Sequence, residues 1–466
     1  MKKLIFNLKV SLILFLCLGI ALTGGLIMQQ FRSKSRLAVA AGENLISLRQ
    51  RYAQAGSVTD SSGELLAWSE NGIRHYHQNS NLAKAVLHTV GDYTQRIDNT
   101  IETRYQPVLL GTDRNFFHQF WLDVQGKGLG GDDVVLTLDS KISLRAAELL
   151  ANRRGAVVVI NYKTGEIIAT TSTPSVDPQS VIDYENIPDT GLFNRALRGS
   201  YAPGSVFKLI TALAWLQSDD YDPEYHVDCH GESTIDSDYA NENGDGHGLV
   251  YLEDAISRSC NVFFGELGVK VGREALLNTA AGLGIGEGYN VDRLTGISSF
   301  IECEEDDLQL SWLAIGQPTG NSQLSMSPIE LARFAGAIAN QGVLMESHII
   351  DHFTDPTGRE YRKLKPTEER RLLNERTAAN IEEMMIKAVK EGTGSGAGFD
   401  QYIIAGKTGT VQVVGQANNA LFIGYIIDED NPLAIAVIVE EGGSGGGTAA
   451  PLAGEILRYA VNSKSN

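Results

Sequence analysis

The chain opens with an uninterrupted apolar run, Val10 to Met28 (VSLILFLCLGIALTGGLIM), 19 residues without a charge. That is about the length at which a helix crosses the apolar core of a bilayer. Lys2, Lys3 and Lys9 precede the run and Arg32, Lys34 and Arg36 follow it, so the basic residues balance and do not orient it. A small-residue cleavage pattern, Ala38-Val39-Ala40, lies too far past the run for signal-peptide processing. The pattern therefore predicts an uncleaved transmembrane anchor within residues 1–36. Ser33 to Arg49 mixes charge with alanine and reads as a linker or stalk helix.

Short-period alternation follows. Gly56 to Trp68 (GSVTDSSGELLAW) places two apolar runs around Asp60-Ser61-Ser62-Gly63, a hairpin signal. Gly155 to Thr171 repeats the chemistry around Tyr162-Lys163-Thr164-Gly165. Between the two, Asp132–Leu138 reads as a strand and Ser140–Asn152 as a helix, after a glycine-rich stretch at Gly126–Gly131. Helical periodicity marks Ser205–Leu216 and Pro328–Gln341. Strands are expected at Tyr402–Val411, Ala420–Ile427 and Leu433–Glu440, and a helix at Pro451–Val461. The turn cluster Asp428–Pro432 makes the last two strands antiparallel. The pattern divides the chain into 1–36, a module at 37–150 and an α/β unit of the α+β type at 151–466.

Charge narrows the partners. The 466 residues carry 39 Lys+Arg against 57 Asp+Glu, a net charge of −18. The first 36 residues hold no acid, so the remaining 430 carry 33 basic against 57 acidic side chains. Such a body cannot release counterions from a phosphate backbone, and nucleic-acid binding is excluded. With 43% hydrophobic and 21% charged residues, wholesale disorder is excluded as well, and the length favours two domains. Only Cys229, Cys260 and Cys303 lie outside the apolar run, too few for a disulfide framework; one Cys229–Cys260 bridge would leave a thiol over.

Three small constellations carry chemistry. Tyr201-Ala202-Pro203-Gly204-Ser205-Val206-Phe207-Lys208 starts a helix and puts Ser205 and Lys208 on one face. A serine hydroxyl becomes a nucleophile when a base takes its proton, and a lysine is such a base when burial or a second cation keeps it neutral. At a helix N-terminus the Ser205 backbone N–H also faces a developing oxyanion. Ser259-Cys260-Asn261, within an apolar helical pattern (Ala255, Ile256, Val262, Phe263), offers a hydroxyl relay and an amide. Gly406-Lys407-Thr408-Gly409-Thr410 begins a strand whose edge suits an extended peptide ending in a carboxylate. There Lys407 supplies charge, Thr408 and Thr410 hydrogen bonds, Gly409 close approach, and the Thr410 N–H a second oxyanion donor. Each alone is weak. Ser259 follows Ser205 by 54 residues and Lys407 follows Ser259 by 148, so order and spacing reinforce one another.

These are the S-x-x-K, S-x-N and K-T-G elements of the penicillin-recognising serine enzymes. The stretches GAVVVINYKTGEIIATTSTPSVDP, FNRALRGSYAPGSVFKLITALA, AIGQPTGNSQLSMSPIELARFAGAIANQG and VIVEEGGSGGGTAAPLAGEIL, within residues 150–462, resemble the transpeptidase domain of class B penicillin-binding proteins. The upstream part is similar to the short N-terminal module of the smaller Gram-positive members. The resemblance implies a serine transpeptidase fold: a central antiparallel sheet flanked by helices, an all-helical lobe, a small β-rich N-terminal module and one transmembrane helix. It makes Ser205 the acylated nucleophile, Lys208 its base, Ser259 and Asn261 the orienting relay, and Lys407, Thr408, Gly409 and Thr410 the carboxylate dock. It implies a cell-membrane, single-pass enzyme with an extracytoplasmic catalytic domain. Its ligands would be peptidoglycan stem peptides and β-lactam antibiotics. Its partner would be a polytopic glycan polymerase of the shape, elongation, division and sporulation family. No cofactor is implied. After Thr410 the run Val411-Gln412-Val413-Val414 departs from relatives with His or a second aromatic nearby, which bears on substrate preference.

Rival readings share the triplet: a D,D-carboxypeptidase, a β-lactamase-type hydrolase, a non-turnover β-lactam sensor or an idle division scaffold. A hydrolase needs a base for water, and the E-x-x-x-N match Glu274 to Asn278 sits only 13 residues after Asn261 in a helical pattern. The H-E-x-x-H segment of sensors is absent from the sequence. Residues 37–150 are too few for a glycan-polymerising domain, so crosslinking alone is expected. His226, Cys229, His230 and His247 lack paired metal-ligand spacing and are expected in a surface loop with no metal. Gly392–Gly398 has neither a strand before it nor a Lys-Ser/Thr after it, and reads as a mobile loop rather than a phosphate cradle. Glu302–Asp307 reads as a solvated acidic loop.

Overall fold

A computed structural model describes residues 3, 6, 9–20, 22–24, 50–128, 130–151, 153–179, 189–233, 235, 246–413 and 415–464. Among these, no helix is long and apolar enough to cross a membrane. Residues 9–20 and 22–24 are helical, with their apolar side chains exposed. The rest of the expected anchor and most of the 33–49 linker lie outside the described residues.

Five antiparallel strands form the main sheet, in the order Ile404–Val411, Asn419–Ile426, Leu433–Val439, Gly155–Asn161 and Ile167–Thr173. The expected hairpin and terminal strands are therefore all present. The middle strand, LAIAVIV, is buried at every position because both faces of the sheet are covered. Ala156, Val158 and Ile160 pack with Leu331 and Phe334 of the helix Pro328–Ala339. Val157 and Val159 share the opposite core with Leu150 of the helix Ser140–Leu150 and Leu457 of Ala450–Lys464. The period of two along each strand thus feeds two separate cores. Ser327 starts the Pro328 helix through a capping box with Glu330.

A helical lobe stands beside the free edge of this sheet. Leu252–Arg258, Asn261–Val271, Arg273–Gly282 and Asp307–Ala314 gather around the buried helix Lys208–Leu216. The Gly392–Gly398 segment is packed rather than detached. The Thr393 N–H donates to Ser257 O at 3.1 Å, and residues 395–397 form a short 3-10 turn.

The N-terminal module is built differently. Its sheet runs Glu360–Tyr361, Ile350–Thr354, Asp133–Leu136, Val58–Thr59, Leu65–Glu70 and Ile73–Tyr76. The expected hairpin pairs Val58–Thr59 with Leu65–Ala67, and two strands come from far along the chain. The expectation of a β-rich module needs correcting, because helices outweigh strands here. Asn79 and Asn115 accept backbone hydrogen bonds that start the helices Ser80–Val90 and Phe116–Val124, while the strands are 2 to 6 residues long.

Candidate active site

Ser205 lies on a tight 3-10 turn, Gly204–Val206, which leads through Phe207 into the helix Lys208–Leu216. The turn is pressed against the edge strand Ile404–Val411. Gly204 has φ +55°, and a Cβ there would meet Thr410 O at 2.7 Å. A Cβ on Gly409 would likewise meet Pro203 O at 2.6 Å, so both glycines are needed for two backbones to touch. The Gly204 N–H donates to Gly316 O at 3.1 Å, which fixes the turn from the other side. In an antiparallel strand the N–H and C=O of one residue point the same way. Since Thr410 O faces Gly204, the Thr410 N–H faces the Ser205 turn as well. Ser205 is half-buried beside it.

Ser259-Cys260-Asn261 differs from the continuous helix that the periodicity suggests. The helix Leu252–Arg258 stops at Ser259, which is left-handed at φ 56° and ψ 42°. Cys260 then caps the new helix Asn261–Val271, its sulfur accepting from the Phe263 N–H at 3.4 Å. A non-glycine residue in this region costs roughly 1 kcal/mol, and the break turns Ser259 and Asn261 toward one neighbour. Lys208 Nζ donates to Ser259 O at 2.7 Å and Asn261 Oδ1 at 2.6 Å, and lies 3.2 Å from Ser259 Oγ. Lys407 Nζ donates to the same Ser259 Oγ at 2.9 Å and to Thr408 O at 3.1 Å. Both lysines are fully buried. Thus Lys208, Ser259, Asn261 and Lys407 meet at one hydroxyl, although 199 residues separate the two lysines.

Strand alternation sends Thr408 and Thr410 to the face opposite Lys407. The Thr408 hydroxyl pairs with that of Thr393 at 2.8 Å, and Thr410 Oγ1 accepts from the Gly445 N–H at 3.2 Å. The two hydroxyls are therefore held by neighbouring loops, with Thr410 half-buried at the strand edge.

Several supporting residues carried no role in the sequence reading. Gln317 Oε1 accepts from the Gln412 N–H at 3.2 Å, tying the end of the edge strand to the loop after Gly316. The Tyr201 hydroxyl and Arg195 Nε both donate to Glu440 Oε1 at 2.8 Å. Burial and then the Glu440 carboxylate hold the Tyr201 hydroxyl well above its usual range. This anchors the segment before Ser205 to the end of the central strand. Tyr201 and Glu440 lie 239 residues apart, so no local pattern links them. Glu274, the alternative water base, is exposed on the first turn of the helix Arg273–Gly282.

The expected surface loop of cysteine and histidine also needs correction. His226 and His230 are exposed, but Cys229 is buried on the strand His226–Cys229, which pairs with Gly248–Tyr251. Its sulfur lies 3.6 Å from that of Cys260 and 3.9 Å from His247 Nδ1. The spacing rule missed this because the third ligand comes from another element.

Residues 155–458 match the family described as the penicillin binding protein transpeptidase domain. Stage V sporulation protein D of Bacillus subtilis is 31% identical over 436 residues, 84% of this chain; the chain spans 64% of that relative. A peptidoglycan D,D-transpeptidase PbpA of Mycolicibacterium smegmatis is 27% identical over 494 residues, covering 98% of this chain and 99% of the relative. Among solved structures, a ceftriaxone acyl-enzyme complex of penicillin-binding protein A from M. tuberculosis superposes with TM-score 0.80 and 26% identity. It covers 89% of this chain and 100% of that one. The D,D-transpeptidase domain of a peptidoglycan glycosyltransferase from Eggerthella lenta gives 0.77 and 28%, over 89% and 99%.

Proposed function

The chain belongs to the penicillin-binding protein transpeptidase family, and from that premise we propose that it is a peptidoglycan D,D-transpeptidase acting through an acyl-enzyme on Ser205. The observation that carries this reading is the junction of Lys208 and Lys407 at Ser259 Oγ, which joins all three sequence elements. A neutral lysine has two N–H bonds and one lone pair. Lys208 directs N–H bonds to Ser259 O and Asn261 Oδ1, which leaves the lone pair for the Ser205 proton. Lys407, the neighbouring cation, favours the neutral form of Lys208.

Ser205 Oγ then attacks the penultimate D-Ala carbonyl while its proton passes to Lys208. The negative charge gathers on an oxygen facing the Ser205 and Thr410 N–H groups. Collapse breaks the peptide bond, and terminal D-Ala leaves with a proton relayed through Ser259. An amine of a second stem peptide attacks the ester, gives up its proton along the same path, and restores Ser205. Lys407, Thr408, Gly409 and Thr410 hold the donor's carboxylate at the strand edge.

The finer placement belongs to the same proposal. Residues 1–36 would anchor the chain in the cell membrane, 37–150 form the N-terminal module, and 151–466 carry the reaction outside the cytoplasm. The 19-residue apolar run supports the anchor. A polytopic glycan polymerase is the partner that the anchor and module would meet.

Labelled penicillin tests the reading. The full chain should form an adduct on Ser205 that lasts many minutes, and Ser205→Ala should abolish it, with a turnover loss of up to roughly a million-fold. An adduct mapped to another serine overturns the assignment. Rapid deacylation that disappears in Glu274→Ala would favour hydrolysis; the exposed position of Glu274 speaks for no change, within about 0.5 kcal/mol in stability.

A further inference from the structure

Cys229, His247 and Cys260 have no part in the acyl transfer derived above, yet their ligand atoms lie within 4.8 Å of one another. Cys229 pairs with Gly248 across the two-stranded ribbon, which brings His247 beside it. Cys260 approaches from the turn that ends one helix and caps the next. Both sulfurs are buried. Two thiols and an imidazole form a soft donor set, suited to zinc rather than to magnesium or calcium.

The distances discriminate between fates of this cluster. A tetrahedral zinc with Zn–S near 2.3 Å and Zn–N near 2.0–2.1 Å sets two sulfurs about 3.7 Å apart, and a sulfur and a nitrogen about 3.5 Å apart. The observed separations are 3.6 Å and 3.9 Å. A disulfide would need the sulfurs to close to about 2.05 Å and would leave the histidine unused.

We propose that Cys229, His247 and Cys260 bind one zinc ion, which fastens the ribbon to the Ser259-Cys260-Asn261 turn and so positions the groups that hold Lys208. Binding replaces the two thiol protons, which pass to solvent, and leaves one coordination position for a further donor. Burial pushes the Cys260 thiol up to about 12, so without a metal it stays protonated and unreactive toward oxidation. The site differs from the transpeptidase reading in kind, since it binds whether or not the enzyme turns over. Cys260 serves as a positioning residue, because the residues on both sides of it are the ones bonded to Lys208.

The test counts metal first. The full chain, purified and dialysed against metal-free buffer, should retain about one zinc per chain by plasma mass spectrometry. Cys229→Ser, Cys260→Ser and His247→Ala should each fall below about a tenth of that. Because a variant may misfold, cobalt exchanged into the unaltered chain gives a second readout: a near-ultraviolet charge-transfer band with the intensity of two thiolates. Chelation should slow acylation by labelled penicillin roughly ten-fold at saturating ligand, with the apparent binding constant unchanged. A chain that takes up neither zinc nor cobalt, or in which peptide mapping finds a Cys229–Cys260 disulfide, overturns the site. A metal-loaded chain whose acylation ignores chelation overturns the positioning role.

Discussion

The strand Leu433–Val439 is buried at all seven positions, whereas Ile73–Tyr76 alternates between surface and core and sends an arginine inward. The two sheets they belong to are held by different forces. The five-stranded sheet lies between two apolar cores, and each fully buried leucine or valine there contributes roughly 1.5–3 kcal/mol. The six-stranded sheet has little such area. It is tied instead by Arg74, which meets Glu102 at 2.8 Å and donates to Gly56 O at 2.7 Å, and by Arg114, paired with Asp132. The Tyr361 hydroxyl adds a 2.5 Å bond to Asp132 from a strand far along the chain. Buried ion pairs add little net stability, but they punish the loss of one partner. The apolar sheet, by contrast, tolerates two fully buried lysines at its edge, where charge serves reaction rather than folding.

The widest separation between the two regions should appear in activity. Lys208→Ala is expected to lower acylation by roughly 10⁴-fold for every ligand, since the Ser205 proton loses its acceptor. Lys407→Ala should hurt most with ligands that carry a free carboxylate. Stopped-flow acylation with charged and uncharged ligands checks this, and equal losses for both would dissolve the division of roles. Neither change touches the six-stranded sheet, whose thermal unfolding should stay near that of the unaltered chain.

The module should fail through charge instead. Arg74→Leu strands Glu102, whose carboxyl burial already pushes upward despite the arginine, and should cost about 3–5 kcal/mol. The double variant Arg74→Leu, Glu102→Leu should recover most of that, as read from urea midpoints. A single variant that unfolds like the parent would show that the pair is incidental.

The smallest expected effect lies at the seam between the regions. His88, on the helix Ser80–Val90, bonds through Nε2 to Gly191 O at 3.0 Å, and its own carbonyl accepts from Asn194 Nδ2 at 3.0 Å. Burial lowers its pKa from 6.5 to about 4, so the folded chain keeps it neutral while the unfolded chain takes up a proton. Stability from this group is intact above about pH 6.5 and declines as pH falls toward 4. Between pH 7 and 5 the loss should be roughly 2 kcal/mol, and His88→Gln should flatten that slope in paired urea titrations.

What was legible in the sequence follows the same divide. Strands of the apolar sheet announced themselves because continuous or alternating apolar runs are local signals, and the Ser205–Lys208 pair sits within one turn. The break at Ser259 was hidden, since Ala255 and Ile256 on one side and Val262 and Phe263 on the other keep helical periodicity while burying two helices in one core. The strands Ile350–Thr354 and Glu360–Tyr361 were missed because their partners lie more than two hundred residues earlier. The Tyr201–Glu440 bond and the Cys229–Cys260 approach were unreadable for the same reason: each joins side chains from elements that only the folded chain brings together.

That long-range pairing sets a timetable for synthesis. Strand Asp133–Leu136 gains its neighbour on one side from Val58–Thr59, already made, and on the other from Ile350–Thr354. At about 5–20 residues per second, the second neighbour follows after roughly ten to forty seconds. Throughout that interval the strand presents an open row of backbone donors and acceptors, the surface on which nascent chains pair wrongly with one another. Any device that guards this protein while it is being made has its task here, at a strand whose side chains give no hint of being exposed.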